Sequence, residues 1–223
     1  MVIGSYESTR ILAHNGVPES QLMPVSGGER VRLSDDVVVG VFPSLHSCVW
    51  SHTGSAGSDE VCLGDLGLTH QERESRMGDL ARHFASLGDE VRSHLQVAHQ
   101  GARGDGGALV YVFETPDGSI LYQDTSGHWS GILHDLRPDL AILAAAGRGN
   151  VDGEPVQGTL AHFVARQAWL LSARRMVLCH HDDWLPGFST PTDTDPIRDE
   201  VTRLLPNATI ADLAYLDGHR VFG

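Results

Sequence analysis

The chain predicts a mixed α/β fold, and two observations carry that reading. Apolar runs of strand length, some paired as hairpins and some single, alternate with segments of helical period, as when helices pack on sheet faces. Several of those runs end abruptly in His, Asp and Gly, which gathers polar groups along one rim, where open α/β sheets hold their sites. At 223 residues and 41% hydrophobic content, there is enough chain for one domain with a sizeable core.

In order, Val2 and Ile3 read as the end of a strand, and Ser5 to His14 as a short helix stopped by Asn15-Gly16. Pro24 to Pro43 reads as a hairpin: Arg30 to Leu33 alternates, Ser34-Asp35-Asp36 turns, and Val37 to Phe42 is nearly all apolar. Trp50 to Gly67 is rich in Gly and Ser. Thr69 and Glu72 then make a capping box for a helix carrying Met77, Leu80, Ala81, Phe84 and Leu87, so about 50–105 reads as a helical insertion into a single domain. Ala108 to Glu114 and Ser119 to Gln123 are strands joined by Thr115-Pro116-Asp117-Gly118, a strong turn signal. Asp139 to Ala146 is another apolar run and opens into the polar loop Gly147 to Gly153. Thr159 to Leu171 is a helix with Phe163, Val164, Gln167 and Trp169 on and around its inner face. Met176 to Cys179 is a strand, Ile197 to Leu205 a last helix, and Ala208 to Ala214 a last strand.

Composition limits the function. A formal net charge of −13 argues against nucleic acid or an anionic membrane as partner and leaves a small-molecule substrate as the expectation. Three cysteines give no disulfide framework, and no apolar run is long enough for a membrane span, which points to a cytoplasmic setting. Oligomerisation stays open.

The candidate chemistry lies at strand ends. His46 follows Val37 to Phe42, Asp124 follows Ser119 to Gln123, and His180 follows Met176 to Cys179. Imidazole and carboxylate are the usual ligands of zinc and similar ions, and strands can bring distant residues together on a sheet rim. His181 and Asp182 adjoin His180, while Arg148 and Asn150 lie on the loop after another strand; these four are candidate contacts to the ligands or to substrate. Cys48 and Cys179 flank the histidines and read as small core residues.

Pro43-Ser-Leu-His46-Ser, then Asp124-Thr-Ser-Gly127 after a hairpin, then Val177-Leu-Cys-His180, in this order, resemble the later motifs of the metallo-β-lactamase superfamily. Ile3-Gly-Ser, Gly16-Val-Pro and Val25-Ser-Gly-Gly-Glu29 resemble the middle of its lactonase-like branch. The resemblance implies an αββα sandwich and a site for one or two zinc ions, with iron or manganese as alternatives. It implies that His46 belongs to the first metal position, that Asp124 bridges the two, and that His180 (or His181, one register on) closes the second. The implied activity is hydrolysis, a metal-bound hydroxide attacking a lactone, ester, amide or phosphoester. The family's His-x-His-x-Asp-His motif does not occur in the chain. The resemblance is therefore to an N-terminally incomplete member with a partial ligand set, and an inactive remnant is the alternative expectation. A weaker one is an acidic protein-binding module using residues 69–99.

Overall fold

The computed structural model describes residues 1–48, 107–156, 158–183 and 189–213, with isolated positions between 69 and 93. Apart from those positions, the helical insertion read over 50–105 lies outside the described residues, as does Trp184.

A seven-stranded mixed sheet forms the centre. Its strands are β3 (Arg30–Arg32), β4 (Val38–Pro43), β5 (Leu109–Thr115), β6 (Gly118–Gln123), β8 (Leu140–Ala144), β11 (Arg175–Cys179) and β12 (Thr209–Ala211). The spatial order is β12-β11-β8-β6-β5-β4-β3. β6, β8, β11 and β12 are parallel neighbours, whereas β5 is antiparallel to both β4 and β6. β4 therefore runs in the same direction as β6. This matters for function, because the C-terminal ends of β4, β6, β8 and β11 all reach the same rim.

The hairpin read over Pro24 to Pro43 is present from Arg30 onward, β3 and β4 pairing Val31 to Val39, while Pro24 and Val25 belong to another strand; the hairpin of 108–123 holds, β5 and β6 pairing Phe113 to Ile120. The parallel strands need crossovers, and helices supply them. α3 (Leu160–Leu170) links β8 to β11, and α4 (Asp195–Leu204) links β11 to β12. Thr159 caps α3, its hydroxyl accepting from the His162 amide. α4 starts two residues before the predicted Ile197, because Pro196 falls in the first turn, where its missing N–H costs no intrahelical bond.

Both helices cover one face of the sheet. Phe163, Val164, Ala168, Ile197 and Val201 pack there against Leu121, Ala141, Leu143, Met176 and Leu178. Fully burying one such large side chain contributes about 1.5–3 kcal/mol. Trp169, expected near the inner face of its helix, is instead 51% exposed, while Gln167 is fully buried.

On the other face, Val39 and Val41 pack with Val25, Ile3 and Met23. Those last residues belong to a two-stranded parallel sheet of β1 (Val2–Ser5) and β2 (Leu22–Val25). β1 leads directly into α1 (Tyr6–His14), capped by the Ser5 side chain and stopped at Asn15-Gly16 as expected. β2 was not foreseen as a separate strand; its partner lies twenty residues upstream, beyond any hairpin signal.

A third sheet was also missed. β7 (Gly127–His128) pairs in parallel with β9 (Asn150–Val151), which pairs with β10 (Glu154–Pro155). The polar loop predicted over 147–153 thus contains a strand and its turn. Asp152 and Gly153 both have positive φ, 55° and 93°, as in the tight turns that join hairpin strands. A short helix, α2 (Ser130–Leu133), follows β7.

Candidate metal centre

The four segments that leave the shared rim are bound to one another before any ligand is considered. The Ser44 hydroxyl donates to the Gly127 carbonyl at 2.9 Å, and the Ser47 amide donates to the Thr125 hydroxyl at 2.9 Å. These two bonds fasten the His46 segment to the Asp124 segment. The Asn150 side-chain amide donates to the His46 carbonyl at 3.0 Å, and the Cys48 amide to the Arg148 carbonyl at 3.0 Å, which fastens the loop after β8 to the same segment. Gly127 permits this approach, since a Cβ there would collide with the backbone carbonyls of Leu45 and His46.

Both candidate imidazoles set Nδ1 against a backbone carbonyl. His46 Nδ1 lies 3.0 Å from the Ser47 carbonyl oxygen, and His180 Nδ1 lies 3.1 Å from the Asp124 carbonyl oxygen. The Asp124 carbonyl only accepts, so in that bond His180 Nδ1 is the donor; His46 Nδ1 also meets the Ser47 hydroxyl at 3.1 Å, which can donate or accept, so either tautomer of His46 is compatible with its contacts. With Nδ1 donating, a neutral imidazole presents Nε2 as its ligating nitrogen. The same nitrogen, His180 Nδ1, also lies 3.8 Å from the Asp124 carboxylate. The His180 backbone sits at φ 57°, in the left-handed region, where the strand ends and the chain turns.

Asp124 and His180 thus come together, and the Ser47–Thr125 bond ties the His46 segment to the same rim. Their donor chemistry suits zinc, iron or manganese. The set is incomplete by the ordinary standard, because a catalytic zinc takes three protein ligands and, among the described residues, no group of three His, Cys, Asp or Glu side chains is arranged to hold a metal.

The flanking residues resolve as follows. Cys48 is buried in the core, as expected. Cys179 is half-buried, and its thiol lies 3.8 Å from the Gln123 carbonyl and 3.9 Å from the Asp124 carboxylate. Burial, reinforced by the Asp124 charge, pushes its pKa up to about 12, so it stays a thiol at neutral pH. The same two causes push Tyr122 up to about 12. Asn150 is only 4% exposed and acts behind His46, not toward solvent. The His181 carbonyl accepts from the Thr192 amide, and Asp182 is exposed beside it.

Sequence reasoning missed three buried polar residues behind the rim. Gln123 and Gln167 are completely buried, and His128 is 1% exposed, stacked on Phe163 at 5.3 Å. Burial lowers the His128 pKa to about 4, so the ring is neutral. A lone Gln or His in an apolar run carries no periodic signal that would single it out.

Clefts of about 380 and 530 Å³ open at the opposite rim, lined by Arg137 and Arg174 among others. They are poor sites for chemistry: Arg137 donates to the carbonyls of Leu136 and Leu170, spanning a helix C-terminus, and Asp139 is taken up by Ser119.

Comparison with known proteins agrees with this fold. No family model matches the chain. A metal-dependent hydrolase of Pyrobaculum calidifontis is 44% identical over 46 residues, which is 21% of this chain and 20% of that protein. Its counterpart from Pyrobaculum neutrophilum is 39% identical over the same length. Among solved structures, a protein described as a metal-dependent hydrolase from Parabacteroides distasonis has a TM-score of 0.51 at 10% identity, over 94% of this chain and 62% of that one. The metallohydrolase Igni18 of Ignicoccus hospitalis has a TM-score of 0.50 at 12% identity, over 95% and 64%. The chain thus spans about a fifth of the curated relatives and under two thirds of the solved structures. The two solved structures show the fold alone, a mixed α/β architecture. Among the described residues, no helix is long and apolar enough to cross a membrane.

Proposed function

We infer that the chain is a metal-dependent hydrolase whose shared rim binds metal through His46, Asp124 and His180. One observation carries this reading: two histidines at the ends of distant strands both set Nδ1 against a backbone carbonyl, on a rim whose segments are tied to the Asp124 segment. A solvated polar loop has no need of that arrangement twice on one rim. The Asp124 carboxylate, 3.8 Å from the His180 ring, supplies the anionic ligand. Zinc bound there would supply an activated water near neutral pH and polarise a carbonyl or phosphoryl oxygen. The protein's own part is to hold the candidate ligands in place through the bonds that tie the rim segments together. A lactone, ester, amide or phosphoester is the substrate class proposed.

The absence of a three-donor group among the described residues favours a second reading, a fold that keeps part of the rim without turnover. Elemental analysis and zinc calorimetry separate the two. Stoichiometric metal, an affinity at least about tenfold weaker in His180→Ala and Asp124→Ala, and chelator-sensitive hydrolysis support the enzyme. A protein that takes up none of zinc, iron or manganese rules it out, and metal uptake without hydrolysis of any of the four substrate classes supports the second reading.

A further inference from the structure

Behind the rim lies a closed set of buried hydrogen bonds that the ligand chemistry does not use. The Gln123 amide nitrogen donates to the Gly127 carbonyl and, at 3.1 Å, to the Ser44 hydroxyl, which itself donates to the same carbonyl at 2.9 Å. Gln167, one helix layer away on α3, donates its own amide nitrogen to Gln123 Oε1. The direction of this chain is fixed. The Gly127 carbonyl only accepts, so Gln123 must turn its NH₂ toward it and its oxygen toward Gln167, which must then present a donor.

Each member touches a site segment. Ser44 stands two residues before His46, Gln123 immediately before Asp124, and Gly127 three residues after it. Simple core filling does not account for Gln167. Its Oε1 is buried with no partner among the described residues, an arrangement that an apolar side chain of the same length would avoid. Its donor is what the position uses.

We propose that Gln167 is a positioning residue: acting through Gln123, it clamps the His46 and Asp124 segments to each other and to helix α3, and so sets the relative reach of those two side chains. This rests on the metal-binding reading only for its consequence. The clamp itself is independent of it.

The test uses the full chain with Gln167→Met, which keeps length and removes the donor, Gln123→Met, and the pair together. Amide hydrogen exchange is followed at Ser47 and Asn150, whose amides bridge the rim segments, with the amides of β8 as reference. Gln167→Met is expected to speed exchange at Ser47 and Asn150 at least about tenfold while β8 is unchanged, and to add nothing once Gln123→Met is present. Zinc affinity by calorimetry should fall about tenfold in step. Unchanged exchange at those amides, an equal rise throughout β8, or additive effects of the two substitutions would overturn the clamp. Should Gln167→Met fail to fold, Ser44→Ala removes one hydroxyl from the same set and must show the same local pattern. A wild-type chain that takes up none of zinc, iron or manganese defeats the metal reading, while the exchange data still decide the clamp.

Discussion

The two rims of the central sheet are built from the same strands yet are organised differently. At the C-terminal ends, four segments far apart in the chain are tied together: Ser44 to Gly127, Ser47 to Thr125 and Asn150 to His46 by buried or half-buried bonds, and His180 to Asp124 by an exposed one. At the N-terminal ends, polar groups are as plentiful, but they and their bonds are exposed. Asp139 accepts from the amide and hydroxyl of Ser119, both at 2.8 Å, in the adjacent strand, and Arg137 donates to nearby carbonyls. A site is therefore marked here by cross-linking between loops and not by the number of charges or the size of a cleft.

The largest test of that contrast is Gly127→Ala. The added Cβ meets the carbonyl oxygen of His46 at 2.6 Å, backbone that cannot step aside without opening the interlocked loops. Overpacking against backbone should cost at least about 3 kcal/mol or prevent folding, measurable by urea denaturation. A well-folded variant of near-native stability would show that the loops give way easily and that the interlocking is superficial.

Next comes the neutral imidazole behind the same rim. His128 is held at about 4, below its usual 6.5, because burial disfavours the cation. As pH falls, the unfolded chain therefore binds the proton first. The group's contribution is complete above about 6.5 and is lost as pH drops through the window to about 4, in total about 3 kcal/mol and nearer 2 at pH 5. His128→Phe should flatten that part of the stability–pH curve. An unchanged acid slope would mean that the ring titrates freely and the rim is not sealed from below.

The smallest effect belongs to the other rim. Asp139→Ala removes two hydrogen bonds to Ser119, yet the site is exposed and water replaces them, so the loss should be no more than about 1 kcal/mol in the same denaturation experiment, with zinc affinity untouched. A loss comparable to that of Gly127→Ala would erase the distinction between the rims.

How much of this was visible in the residues alone follows from what each feature depends on. His46, Asp124 and His180 could be picked out because each directly follows an apolar run, a local pattern. The β4–β5–β6 order needed only turn residues and alternation. The pairing of β1 with β2, and of β7 with β9, depends on contacts between distant segments and left no local trace; the turn at Asp152-Gly153 did leave one, an Asp-Gly pair between short extended pieces. Gln123 and Gln167 were invisible as a pair, because their meaning lies in each other's position across 44 residues.

The backbone of His180 carries a last consequence. At φ 57° the residue occupies a conformation that most side chains resist and glycine adopts freely. The peptide and the ring at this position are therefore separable parts. His180→Gly should leave the chain path intact, or even relax it, while vacating the space of one imidazole, so that free imidazole in solution becomes a replacement part for the side chain the protein no longer carries.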